Sequence, residues 1–433
     1  MARGKKKEST LTPEEKLVQV LVPDWEWPYK VPENWCWTSF VSISQIRTGK
    51  KDANYGSEDG EYPFFTCAAE PIRCDGYSFD CNAILLAGNG DINNISRYEG
   101  KFEAYQRTYV VEVKEPINTD LLYYYFKYRW FDYNKDKMFG TAIPYIRLGN
   151  LQTFPIPLPP LEEQQRIVDR IEYLFSKLDE AKEKAQSVLD SFETRKAAIL
   201  HKAFTGKLTA KWRAAHGIGL DKWERLKLGE IGTLERGRSQ HRPRNDPQLF
   251  DGPYPFIQTG DIASANVYVT EHRQTLSEFG MAQSRMFPAG TLCITIAANI
   301  GDVAILSYDC CFPDSVVGFT PNQRSISKFI YYMMSILQKE LEDNAPATAQ
   351  KNINLKILNA VEISIPTVEE QTEIVRILDS LFAKEQQAKE AAEAVLDKID
   401  LLKKSILARA YRGELGTNDP TEESALELLK RIL

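Results

Sequence analysis

A chain of 433 residues with 43% hydrophobic and 11% aromatic content can bury two or three domain cores. Its formal charge of -6, from 54 Lys and Arg against 60 Asp and Glu, disfavours tight DNA binding by charge alone and leaves local basic loops as the option. The longest apolar run, Leu292 to Leu306, is interrupted by Asn299, Gly301 and Asp302, and no apolar segment follows MARGKKK, so neither a membrane span nor a secretory signal is expected and the protein is placed in the cytoplasm. Seven cysteines without a CxxC pair favour reduced, structural thiols over zinc, and four scattered histidines form no metal motif.

In chain order, residues 1–36 are expected to be a basic tail (Arg3, Lys5, Lys6, Lys7) and a short helix with Thr12 as N-cap, Pro13 at its first position and Glu14 and Glu15 in its first turn. Residues 37–158 read as a first mixed α/β domain. Short apolar runs at Tyr62–Cys67, Ala83–Asp91 and Glu103–Val113 alternate with turn signals, and an aromatic helix from Asn118 to Tyr133 closes the domain. Residues 159–208 read as one long helix, 209–222 as a linker and 223–365 as a second domain. Trp223 opens that domain as Trp37 opens the first, Pro253–Ile262 resembles Tyr62–Cys67, and Ser327–Met334 resembles the aromatic helix. A second long helix at 366–415 and a C-terminal tail with a short helix at 416–433 complete the chain.

The two long stretches are an internal repeat. Pro159–Leu208 overlays Pro366–Leu415 at a constant offset of 207 residues without a gap, and 22 of the 50 positions are identical. Neither contains Gly or Pro between its opening prolines and its closing Gly206 or Gly413. Apolar residues recur every three or four positions for about four heptads, so the helices are expected to pack on each other over roughly 68 Å. Two equivalent halves close most simply about a pseudo-twofold axis, which makes the helices an antiparallel coiled coil. The preferred register sets Phe192 against Ala388, Ala181 against Ile399 and Leu178 against Leu402. It also brings Arg195 to Glu385, a pair that tolerates burial where a lone charge would cost several kcal/mol; the alternative is that both side chains reach water.

The openings Pro159-Pro-Leu-Glu-Glu-Gln164 and Pro366-Thr-Val-Glu-Glu-Gln371, the long helices and their glycine endings resemble the conserved regions of the specificity subunit of type I restriction-modification systems. The domains between them are similar to its two target recognition domains. The resemblance covers nearly the whole chain. It implies an α+β subunit that reads double-stranded DNA at a split target, one half per domain, and docks two methylation subunits and, in the nuclease complex, restriction subunits. S-adenosylmethionine, and ATP with Mg, would then be bound by those partners, with no cofactor in this chain.

The residues themselves offer DNA-contact candidates. Arg236, Arg238, His241, Arg242 and Arg244 crowd one loop, and arginine forks grip phosphates or pair with guanine. Lys50, Lys51 and Asn54 are the counterparts in the first domain, with Asn89, Arg107 and Gln258 as further candidates, since amides suit adenine. The competing reading of the arginine loop is a solvated charge run. An adenine methyltransferase would need an [Asn/Asp]-Pro-Pro-aromatic motif and a Gly-rich cofactor turn, and a translocase a GxxxxGK[ST] loop; none is present. Asp91, Glu112 and Lys114 have only an accidental nuclease-like spacing, and Gly88–Asp91 reads as a turn. The chain is therefore expected to be non-catalytic, and the rival from another class is a protein-protein scaffold built on a coiled coil.

Overall fold

The computed structural model describes residues 12–297, 300–343 and 354–433. Arg3, Lys5, Lys6, Lys7 and Asn299 lie outside them. The fold is α+β, and the chain forms two compact units, Met1–Ala185 with Ala394–Leu433, and Gln186–Glu393. Each long helix contributes to both. Among the described residues no helix is long and apolar enough to cross a membrane.

In the first unit, Thr12 and Glu15 form a capping box on the helix Pro13–Val20. Strands β1 (Cys36–Ser39), β2 (Ser44–Thr48), β3 (Tyr62–Phe65), β4 (Ile72–Cys74), β5 (Phe79–Ala87), β6 (Ile95–Ala104), β7 (Thr108–Val113) and β8 (Pro155–Leu158) follow. Six of them make one sheet in the order β2-β7-β5-β6-β3-β4, antiparallel except for β3 on β6, while β1 pairs with β8. Strand β5 alternates strictly. Ile84 and Leu86 face a large core with Phe40, Trp37 and the aromatic helix Thr119–Asn134, while Ala83 and Leu85 face a smaller core with Phe65, Phe79 and Phe102. Leu121, Tyr125, Phe126 and Trp130 of the aromatic helix are fully buried against the first face, each side chain contributing about 1.5–3 kcal/mol of hydrophobic stabilisation. The end of the second long helix enters the same core through Leu407, Ala410 and Tyr411, whose hydroxyl donates to the Leu121 carbonyl at 2.5 Å. The C-terminal helix Ala425–Ile432 adds Leu428 and Leu429.

The second unit holds β9 (Glu224–Lys227), β10 (Gly232–Arg236), β11 (Phe250–Phe256), β12 (Tyr268–Val269), β13 (Gln274–Leu276), β14 (Met286–Phe287), β15 (Leu292–Thr295), β16 (Val303–Leu306), β17 (Cys310–Cys311), β18 (Val316–Pro321) and β19 (Glu362–Ile365). They form a five-stranded sheet, β10-β18-β15-β16-β12, a four-stranded sheet, β13-β11-β17-β14, and the pair β9-β19. Local plans match the first unit. A strand pair brings each domain's opening beside the start of a long helix, and β11 pairs antiparallel with β13 and parallel with β17, as β3 does with β4 and β6.

The repeated Glu-Gln dipeptide ties each unit together from inside. Glu163 is fully buried and accepts from Trp35 Nε1 at 2.7 Å, Asn418 Nδ2 at 2.8 Å and Thr417 Oγ1 at 2.9 Å. Glu370, also fully buried, accepts from Arg213 Nη1 and Thr209 Oγ1, each at 2.6 Å, and from Trp223 Nε1 at 3.0 Å. The neighbouring amide oxygens accept from the start of each aromatic helix, Gln164 from the Asn118 N–H at 2.9 Å and Gln371 from the Ile326 N–H at 3.1 Å. So one acidic side chain grips a domain's opening tryptophan and the segment that follows the glycine end of the other long helix. The mate of Trp223 is therefore Trp35 and not Trp37, which packs in the core with an indole N–H that has no partner among the described residues. The expected linker 209–222 carries a short helix, Ala210–His216, that delivers Arg213 to Glu370. Gly206 and Gly413 close the long helices in the left-handed conformation, φ +72° and +73°, as a glycine stop requires.

Three expectations about the long helices are corrected. The second runs unbroken as Val368–Ala410, but the first is interrupted at Ser191, between Leu161–Asp190 and Phe192–Phe204. There Ser191 Oγ donates back to the Ser187 carbonyl at 2.6 Å and Arg195 Nη2 takes the Val188 carbonyl at 3.1 Å, so side chains compete for acceptors of the helix ladder. Next, Leu402 is 47% exposed, Val395 40%, and Ala388 is exposed too, so these three do not lie on the seam. The seam uses the following positions, Lys389, Leu396 and Lys403, with Ala392 and Ile399 buried between them. Finally, Phe192 meets Lys389, whose ammonium lies 5.2 Å from its ring centre, in place of Ala388. Lys403 likewise covers Phe175 at 5.1 Å and donates to Asp179 at 2.6 Å. A lysine stem buries apolar length and keeps its charge over an aromatic face, which a leucine at that angle could not do beside Asp179. Arg195 Nε donates to Glu385 Oε2 at 2.8 Å, Leu178 and Phe192 are half-buried, and Ile399 is buried. In each unit the contacts run in opposite order along the two helices: Arg195 with Glu385 and Thr209 with Glu370 in one, Asp179 with Lys403 and Glu163 with Thr417 in the other.

Candidate nucleic-acid interface

In the first unit, one end of the six-stranded sheet gathers four loops. The Gln106 N–H donates to the Lys51 carbonyl at 2.9 Å, the Gly88 N–H to the Arg107 carbonyl at 2.8 Å, and the Ile146 N–H to the Gly88 carbonyl at 2.9 Å. They enclose a cleft of about 340 Å³ lined by Thr48, Gly88, Gln106, Arg107, Tyr109 and Ile146. Lys50 and Arg107 are exposed there, and Asn89 is bridged through its backbone to Tyr145. Lys51 is less available, its ammonium lying 4.2 Å from the Tyr55 ring centre, and Asn54 is exposed on the adjoining turn Ala53–Tyr55.

Sequence reasoning missed part of this edge. Gln106 is held by Asp52 at 2.8 Å. Arg147 lies 4.0 Å over the Phe139 ring and donates to the Tyr145 hydroxyl at 3.2 Å, a rigid planar cation beside two aromatic rings. The signal was there in Phe139–Arg147, which combines two aromatic residues with a terminal arginine. Asp91, Glu112 and Lys114 are not gathered. Glu112 pairs opposite Ala83 within the sheet and Lys114 donates to the Ser42 carbonyl, whereas Asp91 lies in the turn beyond the end of β5.

In the second unit the arginine loop lies against the turn Phe312–Val316. The Gly237 N–H donates to the Val316 carbonyl at 2.9 Å and the Arg238 N–H to the Phe312 carbonyl at 3.1 Å. Only glycine permits this approach, since a Cβ at 237 would fall 2.3 Å from the Pro313 carbonyl oxygen. Each side chain of the loop is tied differently. Arg236 donates through Nε to the Asp314 carbonyl, Arg238 to Gln240 Oε1 at 2.9 Å, and Arg242 Nη1 to the carbonyls of Ser239 at 2.9 Å and His241 at 2.7 Å. Arg244 Nη2 reaches both carboxylate oxygens of Asp314 at 3.0 Å. His241 packs edge-on to Phe279 and its Nε2 lies 2.8 Å from Asp246 Oδ2. The Gln248 backbone N–H and then His241 hold the Asp246 carboxyl below the usual aspartate range. Because β11 and β17 run parallel, Gln258 leaves its strand at the end from which the Phe312–Asp314 turn departs. Its Nε2 donates to Gln274 Oε1 at 3.0 Å. The loop thus carries four arginines, with Asp314 paired to Arg244 and Asp246 to His241.

Comparison with known proteins gives a consistent result. Residues 32–189 and 220–394 match the family model for the type I restriction modification DNA specificity domain. The chain is 28% identical over 429 residues to the type I restriction enzyme EcoDI specificity subunit of Escherichia coli, an alignment covering 93% of this chain and 95% of that one. It is 25% identical to the EcoBI specificity subunit of the same organism, over 83% of this chain and 80% of the other. In fold it resembles the crystal structure of the HsdS subunit from Thermoanaerobacter tengcongensis, with a TM-score of 0.66 at 20% identity over 90% of this chain and 99% of that one.

Proposed function

The chain belongs to the family of type I restriction-modification DNA specificity subunits, and from that premise we propose that it reads a split double-stranded DNA target, one half with each unit. The two loop clusters are the proposed contacts: Lys50, Asn54, Asn89 and Arg107, with Lys51 behind them, in the first domain (37–158), and Arg236, Arg238, His241, Arg242, Arg244 and Gln258 in the second (223–365). The two long helices (159–208 and 366–415) act as an antiparallel coiled-coil spacer related by a pseudo-twofold axis, and they dock two methylation subunits. Restriction subunits join in the nuclease complex. The subunit itself is non-catalytic; S-adenosylmethionine, and ATP with Mg, belong to the partners.

One observation carries this reading. The same buried Glu-Gln joint is built twice, at Glu163 and Glu370, and each copy fixes a different domain to the start of one long helix and the end of the other. Equivalent joints beneath dissimilar domains suit two readers of different sequences held at a set separation. Arginine-rich loops on a chain of net charge -6 fit local contact with phosphates and base edges, with partners supplying the rest of the positive field. Footprinting of the complex assembled with its methylation subunits tests the reading. Two protected blocks flanking a spacer of fixed length are expected; one continuous block, or no sequence-dependent protection, would contradict it.

A further inference from the structure

Among the described residues Arg244 alone of the four loop arginines has a carboxylate partner, and that partner comes from a turn 70 residues further along the chain. Both oxygens of Asp314 meet the same nitrogen, Nη2, at 3.0 Å. Among the described residues Arg244 Nε and Nη1 have no partner, so Asp314 holds the guanidinium at one nitrogen and leaves the N–H groups of the other two to donate, Nη1 forming a fork with the adjacent Nη2 N–H. The platform is anchored independently of that side chain: Arg236 holds the Asp314 backbone carbonyl, and the Val316 N–H donates to the Pro313 carbonyl at 3.0 Å.

We propose that Asp314 is a positioning residue that fixes Arg244 to read a guanine in the half-site of the second unit. The inference rests on the DNA-reading function proposed above. The choice of guanine over phosphate follows from charge and shape. A carboxylate beside Arg244 repels a phosphate approaching the same guanidinium, whereas guanine is neutral and offers O6 and N7 to a planar fork. Phosphate contacts tolerate a mobile cation; base reading needs a fixed one. Arg238 and Arg242, tied only to neutral oxygens, keep their full charge for the backbone.

The test selects bound sequences from a randomised split target, using the complex with its methylation subunits and the native chain, Asp314→Asn, Asp314→Ala, Arg244→Ala and the Asp314→Ala/Arg244→Ala double variant. The native complex is expected to prefer G·C at one position of the second unit's half-site by roughly 5- to 150-fold. Arg244→Ala flattens that position. Either Asp314 variant lowers the preference there toward the flat profile of Arg244→Ala without lowering non-specific affinity, since a negative charge has been removed, and the double variant is no worse than Arg244→Ala. Loop collapse would instead weaken all binding, and that result would overturn the inference, as would an unchanged base preference in both Asp314 variants or a uniform loss for every sequence in Arg244→Ala. If the native complex selects no split target at all, the DNA-reading function fails and this inference with it.

Discussion

Replacing Glu370 by alanine is expected to destabilise the second unit by about 3–5 kcal/mol, the range for removing one partner of a buried ion pair. Arg213 is 9% exposed and Glu370 1%, so the guanidinium would be left charged with little water in reach. Thr209 and the Trp223 indole would lose their acceptor at the same time. The equivalent joint in the first unit gives an internal control. Glu163 takes only neutral donors, from Trp35, Thr417 and Asn418, so Glu163→Gln keeps one acceptor oxygen for Trp35 and Asn418, turns its NH2 to the Thr417 hydroxyl, which can accept, and costs about 1–2 kcal/mol. Glu370→Gln removes the counter-charge of Arg213 and falls closer to the alanine variant. Denaturant midpoints of the four proteins check this order, and equal losses for the two glutamine variants would show that the Arg213 pairing does not set the cost.

The triple variant Arg238→Ala, Arg242→Ala, Arg244→Ala is expected to lower affinity for the specific target by at least about 100-fold, from two phosphate contacts and one base contact of roughly 1–3 kcal/mol each. Its salt dependence should flatten by about one unit of log-log slope for each phosphate contact removed. Among the described residues Arg244 alone of the four loop arginines meets a carboxylate, while Arg236, Arg238 and Arg242 donate to neutral oxygens. Binding titrations at several salt concentrations with the assembled complex measure both quantities. Unchanged affinity and slope would return the loop to the solvated charge run that composition alone also allows.

What could be read from sequence was what the repeat itself encodes. A gapless offset of 207 residues requires two like helices, and two glycine stops mark their ends. It also points to Arg195 and Glu385 as neighbours, because an antiparallel pairing leaves few registers in which two seam charges meet. What escaped was whatever depends on a partner distant in sequence. Ser191 is an ordinary helix residue until Arg195 folds back on the Val188 carbonyl. Leu402 outranks Lys403 as a seam residue on hydrophobicity, but Phe175 and Asp179 on the facing helix reward the lysine. Trp37 and Trp35 are indistinguishable by spacing, and only the Glu163 carboxylate tells them apart. In the candidate interface, the arginine loop was visible as composition, whereas Asp314, Gln106 and the Arg147 stack on Phe139 arise from turns that the sheets bring together.

The central claim, that each unit reads its own half of a split target, is tested most directly by exchanging residues 223–362 for the corresponding stretch of a relative with a different target. Methylated adenines are then mapped genome-wide in cells carrying the partner subunits. The account predicts that one half of the target changes to the donor's, while the other half and the spacer length stay as they were. A single exchange that alters both halves, or neither, would contradict it.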